Sequence, residues 1–177
     1  MSKFTDNASE KLLVVAGKIS NQKHMASIKN AFYTLMPVIL TGAFCTLISN
    51  VVCSTTTTGI SLAKLPGMSW LGMFTDLFTA ANYATLNFFT VAAVFLIGME
   101  LAKQNGLGDS PDSGVVAVCS FISVLPTYVV TTVNDVQVTV PNVLGKDYTA
   151  ARGLFLGMVI ALVSVEIYSK FVKSHVF

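Results

Sequence analysis

Three stretches of this chain, Ala31 to Cys53, Leu77 to Met99 and Ser113 to Asn134, contain no Asp, Glu, Lys or Arg, and a fourth, Gly153 to Ser169, contains only Glu166. A helix of about 20 apolar residues crosses the hydrocarbon of a bilayer, and a charge at the bilayer centre costs several kcal/mol or more. Stretches of this length stay uncharged where lipid is the solvent. Charged residues make up 11% of the chain and apolar residues 53%, against about 25% charged in a soluble domain. The sequence therefore predicts an all-α polytopic membrane protein.

The expected architecture is a bundle of four full transmembrane helices plus one short or tilted membrane helix. The first span, Ala31 to Cys53, is interrupted by Pro37 and Gly42, breaks that a bundle tolerates. Ser54 to Gly67 reads as a loop. Met68 to Ala81 is apolar and aromatic but short and contains Asp76, so it is expected as the short or tilted helix, with Trp70 at an interface. Asn82 to Lys103 is the second span, and the Gly, Asp, Ser and Pro of 104–114 form a turn. Val115 to Val133, with Pro126 in its second half, is the third span. In 134–147, Val136, Val138 and Val140 alternate with Gln137 and Thr139, the period of a small β-hairpin outside the membrane. Tyr148 to Lys170 is the last span.

Orientation follows from the basic residues. With four crossings one side holds Lys3, Lys11, Lys18, Lys23, Lys29, Lys103, Lys170 and Lys173, and the other holds Lys64, Lys146 and Arg152. The positive-inside rule then puts both ends in the cytoplasm. Were 68–81 to cross, Lys170 and Lys173 would fall outside. Residues 1–29 form a cytoplasmic segment whose Leu12, Val15, Ala16 and Ile19 share one helical face, suited either to the membrane surface or to a solvated helix. The apolar run Leu12 to Gly17 is too short for a cleavable signal peptide.

Few residues point to chemistry. The net charge of +2 gives no nucleic-acid footprint. Cys45, Cys53 and Cys119 lack metal or disulfide spacing. His24 and His175 are isolated, and no phosphate loop or nucleophile motif is present. The chain is expected to be no enzyme by itself and to need no cofactor or metal. Glu100 and Glu166, near span ends, read either as a proton or substrate relay or as interfacial acids beside Lys103 and Lys170 on their own helices. Asn50, Asn82 and Asn87 either meet sugar hydroxyls or hydrogen-bond between helices. Gly153 and Gly157, with Ala161, present a small-residue face for close packing against another helix or another subunit.

IKNAFYTLMPVILTGAFCTLISNVV (Ile28 to Val52), LNFFTVAAVFLIGMELAKQNG (Leu86 to Gly106) and LGKDYTAARGLFLGMVIALVSVEIYSKFVK (Leu144 to Lys173) together resemble the sugar-translocating IIC components of the bacterial phosphotransferase system, in the lactose, cellobiose and diacetylchitobiose branch. The resemblance implies an inner-membrane protein whose residues 30–173 match the family's N-terminal dimer-interface domain. It implies a homodimer, and IIB and IIA components as partners. The family's sugar-holding elements, an Asn-Glu-Pro motif and a His-containing hairpin, have no counterpart here, so no substrate-binding residue is carried over. The expectation is a sugar permease portion, truncated and not transport-competent alone. The alternative is an independent small regulatory or assembly subunit of the membrane. A channel or proton-coupled carrier would need polar residues facing a common pore, and no span carries a mid-membrane charge.

Overall fold

A computed structural model of the chain describes residues 22–55, 60–109, 111–133 and 135–174. The amphipathic stripe expected before residue 20, and His175, lie outside them. Helix α1, Lys23–Leu47, runs on through a π-helical turn, Ile48–Cys53. Short 3-10 turns, Leu62–Lys64 and Ser69–Phe74, lead into α2, Thr75–Asn82. A second π turn, Tyr83–Asn87, joins α2 to α3, Phe89–Gln104. Then come α4, Pro111–Val124, strands β1, Tyr128–Val133, and β2, Val136–Pro141, the short α5, Lys146–Thr149, a 3-10 turn at Ala151–Gly153, and α6, Leu154–Lys173.

Two of these helical runs are long and apolar enough to cross a membrane unaided: Lys23–Cys53, 31 residues, and Ala151–Lys173, 23 residues. At 1.5 Å per residue they reach about 46 and about 34 Å. A third span forms if Ser69–Asn87 and Phe89–Gln104, which meet at a bend of 44°, are taken together. The expected short helix at 68–81 and the expected span from Asn82 are thus one bent unit, with the break at Phe88.

The third expected span is corrected. Its helix, α4, stops at Val124 after 14 residues, about 21 Å, which is short of the hydrocarbon thickness. Pro126 has no N–H to continue a helix and disfavours the helical conformation of the residue before it. Beyond it the β-branched run Val129–Val133 forms a strand. The hairpin therefore begins inside the expected span: β1 pairs antiparallel with β2 from Tyr128 opposite Pro141 to Val133 opposite Val136. Asp135 takes φ 63°, the left-handed conformation that a tight hairpin turn uses.

Helix α3 is the centre of the bundle and packs against α1, α4 and α6. Its Ala93, Val94, Ile97 and Leu101 are all fully buried, and they meet Ala31 and Leu35 of α1, Ala117 and Phe121 of α4, and Ala161 and Val165 of α6 in one core. At the α3–α4 crossing a Cβ on Gly98 would lie 2.8 Å from the Ala117 Cβ and 3.0 Å from the Ser113 carbonyl oxygen. These two backbones approach closely because neither Gly98 nor Gly114 has a side chain.

Candidate functional site

At one end of the bundle, polar side chains from three helices converge. Lys23, in the first turn of α1, brings its Nζ 2.5 Å from Glu166 Oε1 of α6 and donates to Asn105 Oδ1, just past α3, at 3.1 Å. Asn105 Nδ2 donates in turn to Ser169 Oγ of α6 at 3.1 Å. His24 Nε2 lies 3.7 Å from the same Glu166 oxygen. About two turns further along α1, Asn30 Nδ2 donates to Glu100 Oε2 of α3 at 3.2 Å. The start of α1 and the ends of α3 and α6 are therefore tied at one level.

This geometry revises the partners expected for the two acids. Glu166 pairs with Lys23 across the bundle, not with Lys170 on its own helix, and Glu100 takes Asn30. Lys103 turns to Asp109 at 2.9 Å. His24, isolated in sequence, is part of the cluster in space. The cause is that α1 runs antiparallel to α3 and α6, so its first turn meets their last turns. The Glu166 side chain keeps a quarter of its area exposed and that of Lys23 almost half, so the pair is partly hydrated. Such pairs contribute about 0–1 kcal/mol and fix geometry more than they stabilise. Among the described residues no group of three His, Cys, Asp or Glu side chains is placed to hold a metal.

The small-residue face of α6 is occupied within the chain. A Cβ on Gly157 would fall 2.7 Å from Val94 Cγ2 and 2.9 Å from Thr90 Cγ2 of α3, and Ala161 is fully buried in the same core. Gly153 ends the 3-10 turn before α6, where a Cβ would overlap the Tyr148 carbonyl oxygen. Thr90, itself buried, donates from Oγ1 to the Ala150 carbonyl oxygen at 2.5 Å. The turn entering α6 is thereby fastened to α3, a contact with no sequence signal beyond a threonine near a helix start.

The asparagines separate. Asn87 borders an otherwise apolar groove of about 340 Å³ with Ile39, Leu86, Phe89, Ala150 and Ala151. A second groove, about 610 Å³, lies between α1 and α3 beside the bend and is lined chiefly by Leu35, Val38, Phe88, Val91 and Phe95. Asn82 donates from Nδ2 to Thr46 Oγ1 across α1 and α2, the interhelical use expected of such a residue. Asn50 donates to the Thr46 carbonyl oxygen at 3.0 Å. Asn87, Glu100 and Glu166 are not gathered into one site: Glu100 and Glu166 share the lysine-rich end, and Asn87 lies by the bend.

The fold is thus a helical bundle with runs long and apolar enough to cross a membrane and an ion-paired end. Residues 29–177 match the family model described as "Phosphotransferase system, EIIC". The chain belongs to the EIIC family of the phosphotransferase system. It is 27% identical over 170 residues to the oligo-beta-mannoside-specific EIIC component of Bacillus subtilis (strain 168), covering 96% of this chain and 36% of that protein. It is 24% identical over 180 residues to the cellobiose-specific EIIC component of Geobacillus stearothermophilus, covering 99% and 38%. Among solved structures it is similar to the transporter ChbC, the IIC component from the N,N'-diacetylchitobiose-specific phosphotransferase system, with a TM-score of 0.74 and 26% identity over 93% of this chain and 37% of that one. The chain thus spans little more than a third of the length of these relatives.

Proposed function

We propose that these 177 residues are the helical scaffold of a sugar permease of the phosphotransferase system, acting on β-linked disaccharides such as cellobiose and serving IIA and IIB partners that carry the phosphoryl group. The observation that carries this reading is the likeness to ChbC over nearly the whole chain at a TM-score of 0.74. The names of the relatives support the sugar class. Within this reading the chain folds as the membrane domain 30–173, crosses the inner membrane four times and dimerises, and the sugar-holding elements of the permease are supplied by other residues. Gly153, Gly157 and Ala161 act in helix packing inside the subunit.

The tied end of the bundle supports four crossings. The start of α1 and the ends of α3 and α6 meet there, so an even number of passes separates them. In this reading α4, with the bend that follows it, makes the third of the four passes. Lys23, Lys29, Lys103, Lys170 and Lys173 belong to that end, which the positive-inside rule makes cytoplasmic.

The test is phosphoryl transfer. Membranes carrying this chain, from a strain without its own cellobiose permease, are given IIA, IIB, phosphoenolpyruvate and labelled cellobiose. The expected result is no sugar phosphate from the chain alone. Phosphorylation dependent on the chain would show that these residues hold the sugar themselves and would overturn the scaffold reading.

A further inference from the structure

At the end of the bundle away from the lysines, residues 60–74, between α1 and α2, are turned inside out. Ser61 and Ala63 are buried, and the large apolar residues that alternate with them, Ile60 and Leu62, are exposed. The reversal continues through the 3-10 turn Ser69–Phe74, where Trp70 is 58% and Met73 76% exposed, while Ile60 is 98% exposed. A segment solvated by water hides large apolar side chains and leaves its serines outside. No charge lies between Lys64 and Asp76, so nothing along most of this outward face opposes contact with lipid.

The inward side is fastened. Ser61 Oγ donates to the Val52 carbonyl oxygen at 3.3 Å, and Thr75 Oγ1, at the start of α2, donates to the Cys53 carbonyl oxygen at 2.9 Å. Both carbonyls belong to the π turn that ends α1, and both 3-10 turns pack on it. Trp70 and Phe74 meet edge to face with ring centroids 6.1 Å apart. The outward residues are thus held from behind and do not fold back into the bundle.

The height of the segment follows from α1. The uncharged stretch from Ala31 to Cys53 rises about 34 Å, close to the hydrocarbon thickness of about 30 Å. With Asn30 and Glu100 at one surface, the π turn stands at the level where acyl chains give way to headgroups on the other. From Thr75 the chain descends beside α1, with Thr79 against Ser49 and Asn82 against Thr46. Residues 60–74 therefore lie at the surface, before the chain re-enters the bilayer.

We propose that residues 60–74 are a foot lying in the plane of the membrane surface opposite the lysine-rich end, with Ile60, Trp70 and Met73 inserted among the lipids. The partner is the lipid surface itself. An apolar face of this kind seats about 5–10 Å into the boundary of headgroups and acyl chains, and a tryptophan suits that depth because its ring is apolar and its N–H reaches polar headgroups. Lipid is favoured over a protein partner because the elements on either side also turn apolar side chains outward, at Val51 in the π turn and Leu77 in α2, and those elements stand in the bilayer. The foot fixes the depth at which α2 enters. The proposal rests on the bundle lying in a membrane and not on the sugar that the permease carries.

The full chain is placed in phosphatidylcholine nanodiscs, which leave both surfaces open to solutes, and Trp70, its single tryptophan, is the probe. Fluorescence quenching is measured with phosphatidylcholine brominated near the headgroup end of its acyl chains, with phosphatidylcholine brominated near the chain ends, and with aqueous iodide. The expected result is quenching about twofold stronger by the shallow bromines than by the deep ones, and iodide quenching at least about threefold weaker than that of free tryptophan amide. A second protein, Trp70→Phe/Ile60→Trp, moves the probe to the other end of the face, and a foot lying in the plane gives the same shallow preference there. Stronger quenching by the deep bromines at either position would mean that the segment dips into the hydrocarbon. Iodide quenching equal to that of the free amide would mean a solvated loop. Shielding from both bromines and iodide would mean that protein, such as a second copy, covers the face. Each of these three results overturns the proposal, and none bears on phosphoryl transfer, by which the scaffold reading is judged.

Discussion

Replacing Gly157 by leucine tests whether the small face of α6 packs inside the subunit. Even the first carbon of a side chain would sit 2.7 Å from Val94 Cγ2 and 2.9 Å from Thr90 Cγ2, well inside contact distance. Neither neighbour yields readily. Both are β-branched and restricted at χ1, both are fully buried, and Thr90 is further held by its bond to the Ala150 carbonyl. Overpacking a well-packed core costs about 1–3 kcal/mol, occasionally more, and leucine adds three further carbons where none fits. A cost of about 3 kcal/mol, at about 2–4 °C per kcal/mol for a chain of this size, lowers the melting temperature by about 6–12 °C. Val159→Leu, at an exposed position on another face, should stay within about 0.5 kcal/mol of wild type. A thiol-reactive fluorophore reads the melt, since Cys45 and Cys53 are buried, and a Cys119→Ser background removes the signal of the exposed third cysteine. Cross-linking in the same samples reports the oligomer. A Gly157→Leu chain that melts with wild type but loses its cross-linked dimer would refute the reasoning and turn this face toward a second copy.

Two further outcomes follow from the tied end. In a double-mutant cycle, Lys23→Met and Glu166→Gln should show coupling of about 1 kcal/mol or less, falling with added salt, measured by the same melt at low and high ionic strength. Coupling well above that would mean the pair is more deeply desolvated than its exposure indicates. In a cysteine-free background, single cysteines at Asp109 and at Thr139, on the hairpin, should label from opposite sides of the membrane in inverted and right-side-out vesicles. Labelling of both from one side would remove α4 from the set of crossings.

Hydropathy made the bundle legible because lipid excludes charge whatever the conformation beneath. For the same reason it misread residues 128–133. A run of Val and Thr is as uncharged in a strand as in a helix, and periodicity alone cannot part them. The discriminating signals were local: Pro126 closing the helix, and the β-branched density after it. The break at Phe88 had no comparable mark. The π turn before it holds neither proline nor glycine, and a π turn, which accompanies sharp helix bends, has no residue signature that could have announced it.

The polar residues show the same division between what local spacing carries and what it cannot. The i, i+4 rule offered Lys170 to Glu166, yet the carboxylate takes Lys23, more than 140 positions away in the chain. No neighbour rule reaches that far, and antiparallel helices make such pairing the ordinary outcome wherever the last turn of one lies beside the first turn of another. The glycines followed suit. The spacing of Gly153 and Gly157 is a readable signal for close approach, but it does not say to what. Gly98 and Gly114, which lie on different helices and belong to no spacing motif, mark an approach just as close. What the sequence exposes is the chemistry each helix must hide from lipid. Which neighbour hides it is decided by the order in which the helices pack around α3, and that order brings Lys23, Asn105, Glu166 and Ser169 together at one end while Arg152 pairs locally with Asp147 at the entry to α6.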